Sequence, residues 1–214
     1  MTPTSTIAIA VLGAGRVGGN LAAALTAAGH RVTLGVRDTD TAEAASDITV
    51  TDVATAITTS DLVINATPGD TTLHLLTAHR GLLSGKVLLD VSNATVRGAD
   101  GLPGGLVYPD RSLGELLQEA LPDTMVVKSL NTMLFPVMTA PGALQTPPTA
   151  YLSGDDASAK STVHAVLGSL GWQDDWVIDL GGINTARGTE AMALMVPSLL
   201  GSLGFVPFAL AVAR

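Results

Sequence analysis

Six residues near the amino end, Gly13-Ala14-Gly15-Arg16-Val17-Gly18, follow the spacing G-x-G-x-x-G. Each glycine at that spacing does a separate job. Gly13 permits a tight turn, Gly15 lets a ligand approach the main chain, and Gly18 lets a helix pack closely on a strand. A helix opening inside such a turn presents free N–H groups and partial positive charge, which suits a pyrophosphate. In a chain with 23 glycines the triplet alone is a weak signal. Here an apolar run, Ile7–Leu12, precedes it, an alanine-rich helical stretch follows, and a second apolar run, Arg31–Val36, comes next. That context turns the motif into a dinucleotide-binding turn.

The end of the second run bears on which dinucleotide. An Asp or Glu there binds the ribose hydroxyls of NAD and repels the 2′-phosphate of NADP, which an Arg accommodates. The sequence reads Leu34-Gly35-Val36-Arg37-Asp38. Gly35 or Val36 holds the acid position and Arg37 follows, which favours NADP(H). Two alternatives stay open: a strand one residue longer would make Asp38 the ribose ligand, and Arg37 could be a solvated loop charge.

Three more apolar runs end in small polar residues: Asn65-Ala66-Thr67-Pro68, Ser92-Asn93-Ala94-Thr95 and Leu130-Asn131-Thr132-Met133. Ligands of open parallel sheets lie outside the carboxyl ends of the strands, so these residues are candidates to bind ribose, pyrophosphate or the nicotinamide carboxamide. The competing reading is that they cap their own turns. Lys128 lies inside its run and is expected to reach a carboxylate across the sheet. No nucleophilic triad or carboxylate pair stands out, and no catalytic residue is assigned. The four histidines lack metal-ligand spacing and there is no cysteine, so no metal site and no disulfide is expected.

These residues need a scaffold, and the order of elements supplies one. Strand-like runs at 7–12, 31–36, 48–50, 61–66, 86–91 and 125–130 alternate with helical stretches. Val17, Leu21, Ala24, Leu25 and Ala28 share one helical face. Ser112 and Glu115 form a capping box for a helix over 113–121. Short apolar strands between helices predict an α/β, Rossmann-type doubly wound fold with a mostly parallel sheet. Residues 131–148 read as a long connection. A strand at 150–153, a helix opened by Asp155-Asp156, a strand at 176–180 and a terminal helix or helix pair then form a small C-terminal α/β lobe. The expected division is 1–148 for dinucleotide binding and 149–214 for the acceptor pocket and dimer contacts.

Charge and composition narrow the partners. The net charge is -8 with no basic run, so nucleic acid is not expected. Hydrophobic residues make up 47% of the chain, ample for a core. The opening apolar run leads into the glycine turn and is not expected to be a signal sequence. Residues 191–213 carry no charge. Their prolines and glycines favour a buried or intersubunit helix pair over a membrane span, and a cytoplasmic protein is expected. Met133, Met138, Met192 and Met195 are expected in the core rather than as a flavin platform.

The segments VLGAGRVGGNLAAAL, LGVRD, NATPGD, VLLDVSNA, VVKSLNT, LSGDD and DLGGINTARGTEAM occur in this order. In them the chain resembles the coenzyme F420-dependent NADP oxidoreductase family over nearly its whole length. VVKSLNT and the DLGG…AR…E segment are the more specific parts. The resemblance implies a Rossmann domain with a small C-terminal lobe, a homodimer, and hydride exchange between NADP(H) and a deazaflavin (coenzyme F420) or flavin. It places Gly13, Gly15, Arg16, Val17 and Gly18 at the phosphates, Arg37 at the 2′-phosphate, and Thr67, Pro68 and Asn93 along the cofactor. Val36 replaces a Ser and Thr41 a Lys of the deazaflavin enzymes, which implies a weaker preference for NADP. VVKSLNT is closer to relatives that reduce flavins. The alternatives are a reductase of a small carbonyl or imine and an NADP-binding redox sensor without turnover.

Overall fold

The computed structural model describes residues 6–40, 45 and 47–213. Thr41, singled out above, lies outside them. Five short strands come first: β1 (Ala8–Leu12), β2 (Arg31–Val36), β3 (Thr49–Asp52), β4 (Leu62–Asn65) and β5 (Val87–Asp90). A separate antiparallel hairpin, β6 (Thr95–Arg97) and β7 (Pro103–Leu106), follows. Three strands complete the main sheet: β8 (Met125–Lys128), β9 (Ala150–Ser153) and β10 (Val177–Gly181). Its eight strands run in the order β10-β9-β8-β5-β4-β1-β2-β3. Only the β8–β9 pairing is antiparallel.

Side chains alternate between the two faces of each strand, so a strand apolar throughout must be covered on both. Ile9 and Val11 of β1 join the core formed with Leu21 and Leu25 of α1 (Arg16–Ala27). Ala10 and Leu12 point the other way, into a core with Val53 and Ile57 of α2 (Val53–Thr58) and Leu76 of α3 (Gly69–Ala78). The short α4 (Arg80–Leu83) adds Leu83 to that face, and α5 (Leu113–Ala120) adds Leu113 and Leu117. On the first face α6 (Phe135–Thr139) and α7 (Ala157–Ser169) supply Val137, Val163 and Leu167. Burying one such leucine contributes about 1.5–3 kcal/mol. The doubly wound α/β architecture is the one expected.

Local signals hold at α5 and α7. Ser112 Oγ accepts from the Glu115 N–H at 3.1 Å while the Glu115 carboxylate accepts from the Ser112 N–H at 2.8 Å, the reciprocal capping box. Asp156 caps α7 by accepting from the Ala159 N–H at 2.7 Å.

Elsewhere the structure departs from expectation. Residues 131–148 are not simply a connection, because they contain α6 and a 3-10 turn at Pro141–Ala143. Leu134 and Pro136 open α6, whose Val137 and Met138 are buried. The β6–β7 hairpin forms although Pro103-Gly104-Gly105-Leu106 lacks β-formers. Beyond Pro148, β9 and β10 extend the first sheet, so residues 149–214 share it with residues 1–148.

The terminal segment forms α8 (Ala186–Ala191), a 3-10 turn and α9 (Val196–Leu203), and α9 buries no residue within the chain. The tail then returns antiparallel along the stretch after β8. The Leu134 N–H donates to the Phe208 carbonyl and the Leu210 N–H to the Thr132 carbonyl. Met133 and Met138 are in the core, whereas Met192 is half-buried and Met195 exposed. No helix among the described residues is long and apolar enough to cross a membrane.

Candidate active site

Parallel pairing puts the carboxyl ends of β1, β2, β4, β5 and β8 on one edge of the sheet. Strand β1 is central, with β2 on one side and β4 on the other, so the loops leaving β1 and β4 diverge there. Such a switch point leaves a crevice above the sheet. The glycine turn occupies it.

Gly13 has φ of 100°, a left-handed conformation that favours glycine, and its N–H donates to the Gly35 carbonyl at 2.9 Å. A Cβ on Gly18 would lie 1.8 Å from the Gly13 carbonyl oxygen, so the helix start packs directly on the turn. Gly15 is the opposite case, because a Cβ there would meet nothing within 4 Å. Gly15 is also the N-cap of α1, without a side-chain cap and with no acidic residue in the first turn. Ala14, Gly15 and Arg16 are exposed, Val17 half-buried. The result is an open helix N-terminus with free amides, a cradle that fits a diphosphate.

Strand β2 ends at Val36, so Arg37 follows it directly. Val36 is buried at 7% exposure and offers the crevice no side chain. Arg37 is exposed and forms no salt bridge among the described residues. Asp38 Oδ1 accepts from the Asp40 N–H at 3.1 Å, engaging that carboxylate with its own loop.

The strand-end polar residues divide into two groups. Thr67, Pro68 and Asn93 are half-buried or exposed along the edge, beside half-buried Ala66. Asn65 and Ser92 turn inward. Asn65 Nδ2 donates to Asp90 Oδ1 at 2.7 Å, and its Oδ1 accepts from Thr67 Oγ1 at 2.6 Å. Ser92 Oγ donates to Asp90 Oδ1 at 2.8 Å. Asn93 Nδ2 donates to the Asn131 carbonyl at 2.8 Å. Leu130 has φ of 60°, a left-handed conformation rare for a leucine. On either side of it, the buried Ser129 and Thr132 hydroxyls have no hydrogen-bond partner among the described residues.

Beneath these loops lies a charged cluster that the sequence reading found only in part. Lys128 reaches the expected carboxylate, with Nζ 2.7 Å from Asp90 Oδ2. It also meets Glu190 of α8 at 2.9 Å. Glu190 in turn accepts from the Leu113 and Gly114 N–H groups at the start of α5. Arg187, one turn earlier, grips Glu115 through two bonds of 2.7 and 2.6 Å. The Arg187 guanidinium, with the Ser112 bonds, holds the Glu115 carboxyl at about 2 against the desolvation that raises it. A sequence signal for Asp90 and Lys128 existed in part, since each is a charge late in an apolar run; the structure ends β5 and β8 on Asp90 and Lys128 and pairs them in register.

The family model for coenzyme F420-dependent NADP oxidoreductase matches residues 8–94. A structure from Arthrobacter sp. FB24, described as an F420-dependent NADP-reductase, is 38% identical with a TM-score of 0.89, covering 97% of this chain and 100% of its own. The chain belongs to the coenzyme F420-dependent NADP oxidoreductase family. Membership in this family makes it an NADP-dependent oxidoreductase. Protein SMa0349 of Sinorhizobium meliloti is 25% identical with a TM-score of 0.67, over 88% of this chain and 90% of its own. An imine reductase from Myxococcus stipitatus, 18% identical with a TM-score of 0.64 over 93% of this chain and 64% of its own, shares the fold. No curated protein sequence matches the chain.

Proposed function

We propose that this family member transfers hydride between NADP(H) and a deazaflavin of the coenzyme F420 type or a flavin, as a cytoplasmic homodimer. The observation that carries the cofactor half is Arg37, an exposed guanidinium without an ion pair among the described residues, directly past β2 beside the uncapped N-terminus of α1. The NADP-reductase description of the Arthrobacter relative supports the same half. Its F420 description supports the deazaflavin acceptor.

NADPH, when bound, supplies the hydride. Gly13 to Gly18 would hold the diphosphate with main-chain amides, and Arg37 the 2′-phosphate. Ala66, Thr67, Pro68 and Asn93 would line the path across the strand ends. Asn131 and Thr132 would flank the nicotinamide end. A hydride moving between two rings leaves the balancing proton to come from solvent, so no proton donor is required of the chain and its part is orientation.

The C-terminal segment 149–214 supplies the acceptor side and the dimer contacts in this reading. Support for the contacts comes from its exposed apolar side chains, Phe205 at 72% and Leu203 at 54% among them. The test is an acceptor panel of coenzyme F420, FMN and FAD, run with NADPH and NADH. Oxidation of NADPH by a deazaflavin or flavin is expected. Turnover with a small imine or carbonyl alone, or tight NADPH binding without any turnover, would replace the proposal.

A further inference from the structure

Among the described residues, Lys128 is the largest wholly buried side chain. Burial pulls its ammonium toward the neutral form, but the Asp90 and Glu190 charges outweigh that effect and hold its pKa above the ordinary lysine range. An ammonium has three N–H donors. All three are engaged: with Asp90 Oδ2, with Glu190 Oε1 and with the Ser92 main-chain carbonyl. No donor is left for a reacting group.

What the ammonium holds is the site. In the sheet register, Asn65, Asp90 and Lys128 form one row across β4, β5 and β8, immediately before the loops that carry the proposed cofactor contacts. Asp90 Oδ1 binds Asn65, which fixes Thr67 through its Oδ1. Lys128 fixes the Ser92 carbonyl, next to Asn93. Asn93 is paired with Asn131, three residues beyond Lys128. Glu190 ties the same charge to α8 and the start of α5.

We infer that Lys128, with Asp90 and Glu190, is a positioning residue for hydride transfer: one buried charge sets the places of Thr67, Asn93 and Asn131 together and locks them to α8. This inference rests on the proposed NADP(H) chemistry and adds the residues that make its nicotinamide half rigid. A merely structural ion cluster would affect stability and leave the rate per folded molecule unchanged.

The experiment neutralises the cluster without leaving a lone buried charge, which would be strongly destabilising by itself. The triple variant Asp90→Asn, Lys128→Met, Glu190→Gln is compared with the parent in three measurements. These are affinity for 2′,5′-ADP, which carries only the adenosine half with its 2′-phosphate; affinity for NADPH; and single-turnover oxidation of NADPH by FMN or coenzyme F420. Unchanged 2′,5′-ADP affinity is expected, with NADPH affinity relative to it reduced about tenfold and hydride transfer slowed about a hundredfold. A folded triple variant with the parent's affinity ratio and rate overturns the inference. Lys128→Arg keeps the charge but replaces a tetrahedral donor with a planar fork. It is expected to slow transfer at unchanged 2′,5′-ADP affinity, and a parental rate in it overturns the inference even if the triple variant does not fold. Failure of the parent itself to oxidise NADPH would instead remove the underlying reading.

Discussion

Asn93 and Asn131 hold each other across the ends of two neighbouring strands. The Asn131 amide donates to Asn93 Oδ1 at 2.9 Å, and the Asn93 amide donates to the Asn131 carbonyl at 2.8 Å. Both side chains are therefore oriented before any ligand arrives. Asn131→Ala removes one of the two bonds and leaves the other. A stability loss of about 1 kcal/mol is expected in urea titration, with a larger proportional fall, about tenfold, in single-turnover hydride transfer.

Arg37→Glu places a carboxylate where the 2′-phosphate is proposed to rest. Since Arg37 is exposed and makes no ion pair among the described residues, folding stability is expected to stay within about 0.5 kcal/mol. The ratio of NADPH to NADH affinity is expected to fall about tenfold or more. Titration of both coenzymes into the variant checks this, and an unchanged ratio would take Arg37 out of the site.

Two glycines of the turn are expected to respond oppositely. At Gly15 the backbone is extended and a Cβ meets open space, so Gly15→Val folds normally and obstructs the diphosphate. At Gly18 a methyl would overlap the Gly13 carbonyl, so Gly18→Ala shifts the helix from the strand and lowers the melting temperature. Melting curves with and without NADPH separate the pair: Gly15→Val keeps its own transition but loses the upward shift given by the coenzyme.

Acid sensitivity follows from Glu115. Its carboxyl is depressed from 4.5 to about 2 in the folded chain by Arg187 and Ser112. A depressed folded pKa gives stability that is fully present above the unfolded value and lost as pH falls through the folded one. The loss therefore runs from about pH 4.5 to about pH 2. Glu115→Gln is expected to lower stability at pH 7 and to flatten that part of the curve, as measured by denaturant unfolding at successive pH values.

Phe205→Asp tests the proposed homodimer. Phe205 and Leu203 are exposed at 72% and 54%, on a segment where no residue of α9 is fully buried. A charge at an apolar contact is expected to weaken self-association about tenfold or more in sedimentation velocity. Secondary structure should be unaffected, because Phe205 contributes nothing to the core.

Local sequence determined the repeating units of this protein. The alternation of buried runs, the glycine turn and the caps at Ser112 and Asp156 each depend on residues within a few positions of one another, and such signals survive without tertiary context. The apolar run bounded β2 only to within a residue, and the structure ends that strand at Val36 with Arg37 next. Tertiary structure decided what long-range packing alone can decide. It joined β9 and β10 to the first sheet through one antiparallel step, and it converted part of 131–148 into α6. It left α9 without a fully buried residue, where the apolar run favoured a buried or intersubunit helix pair, because hydropathy does not say which surface covers a helix. It also turned Asn65 and Ser92 away from the crevice and toward Asp90. Lys128 and Glu190 are 62 positions apart in sequence and 2.9 Å apart in space. A buried charge must find its partner wherever the fold brings one near, and sequence spacing carries no record of that distance.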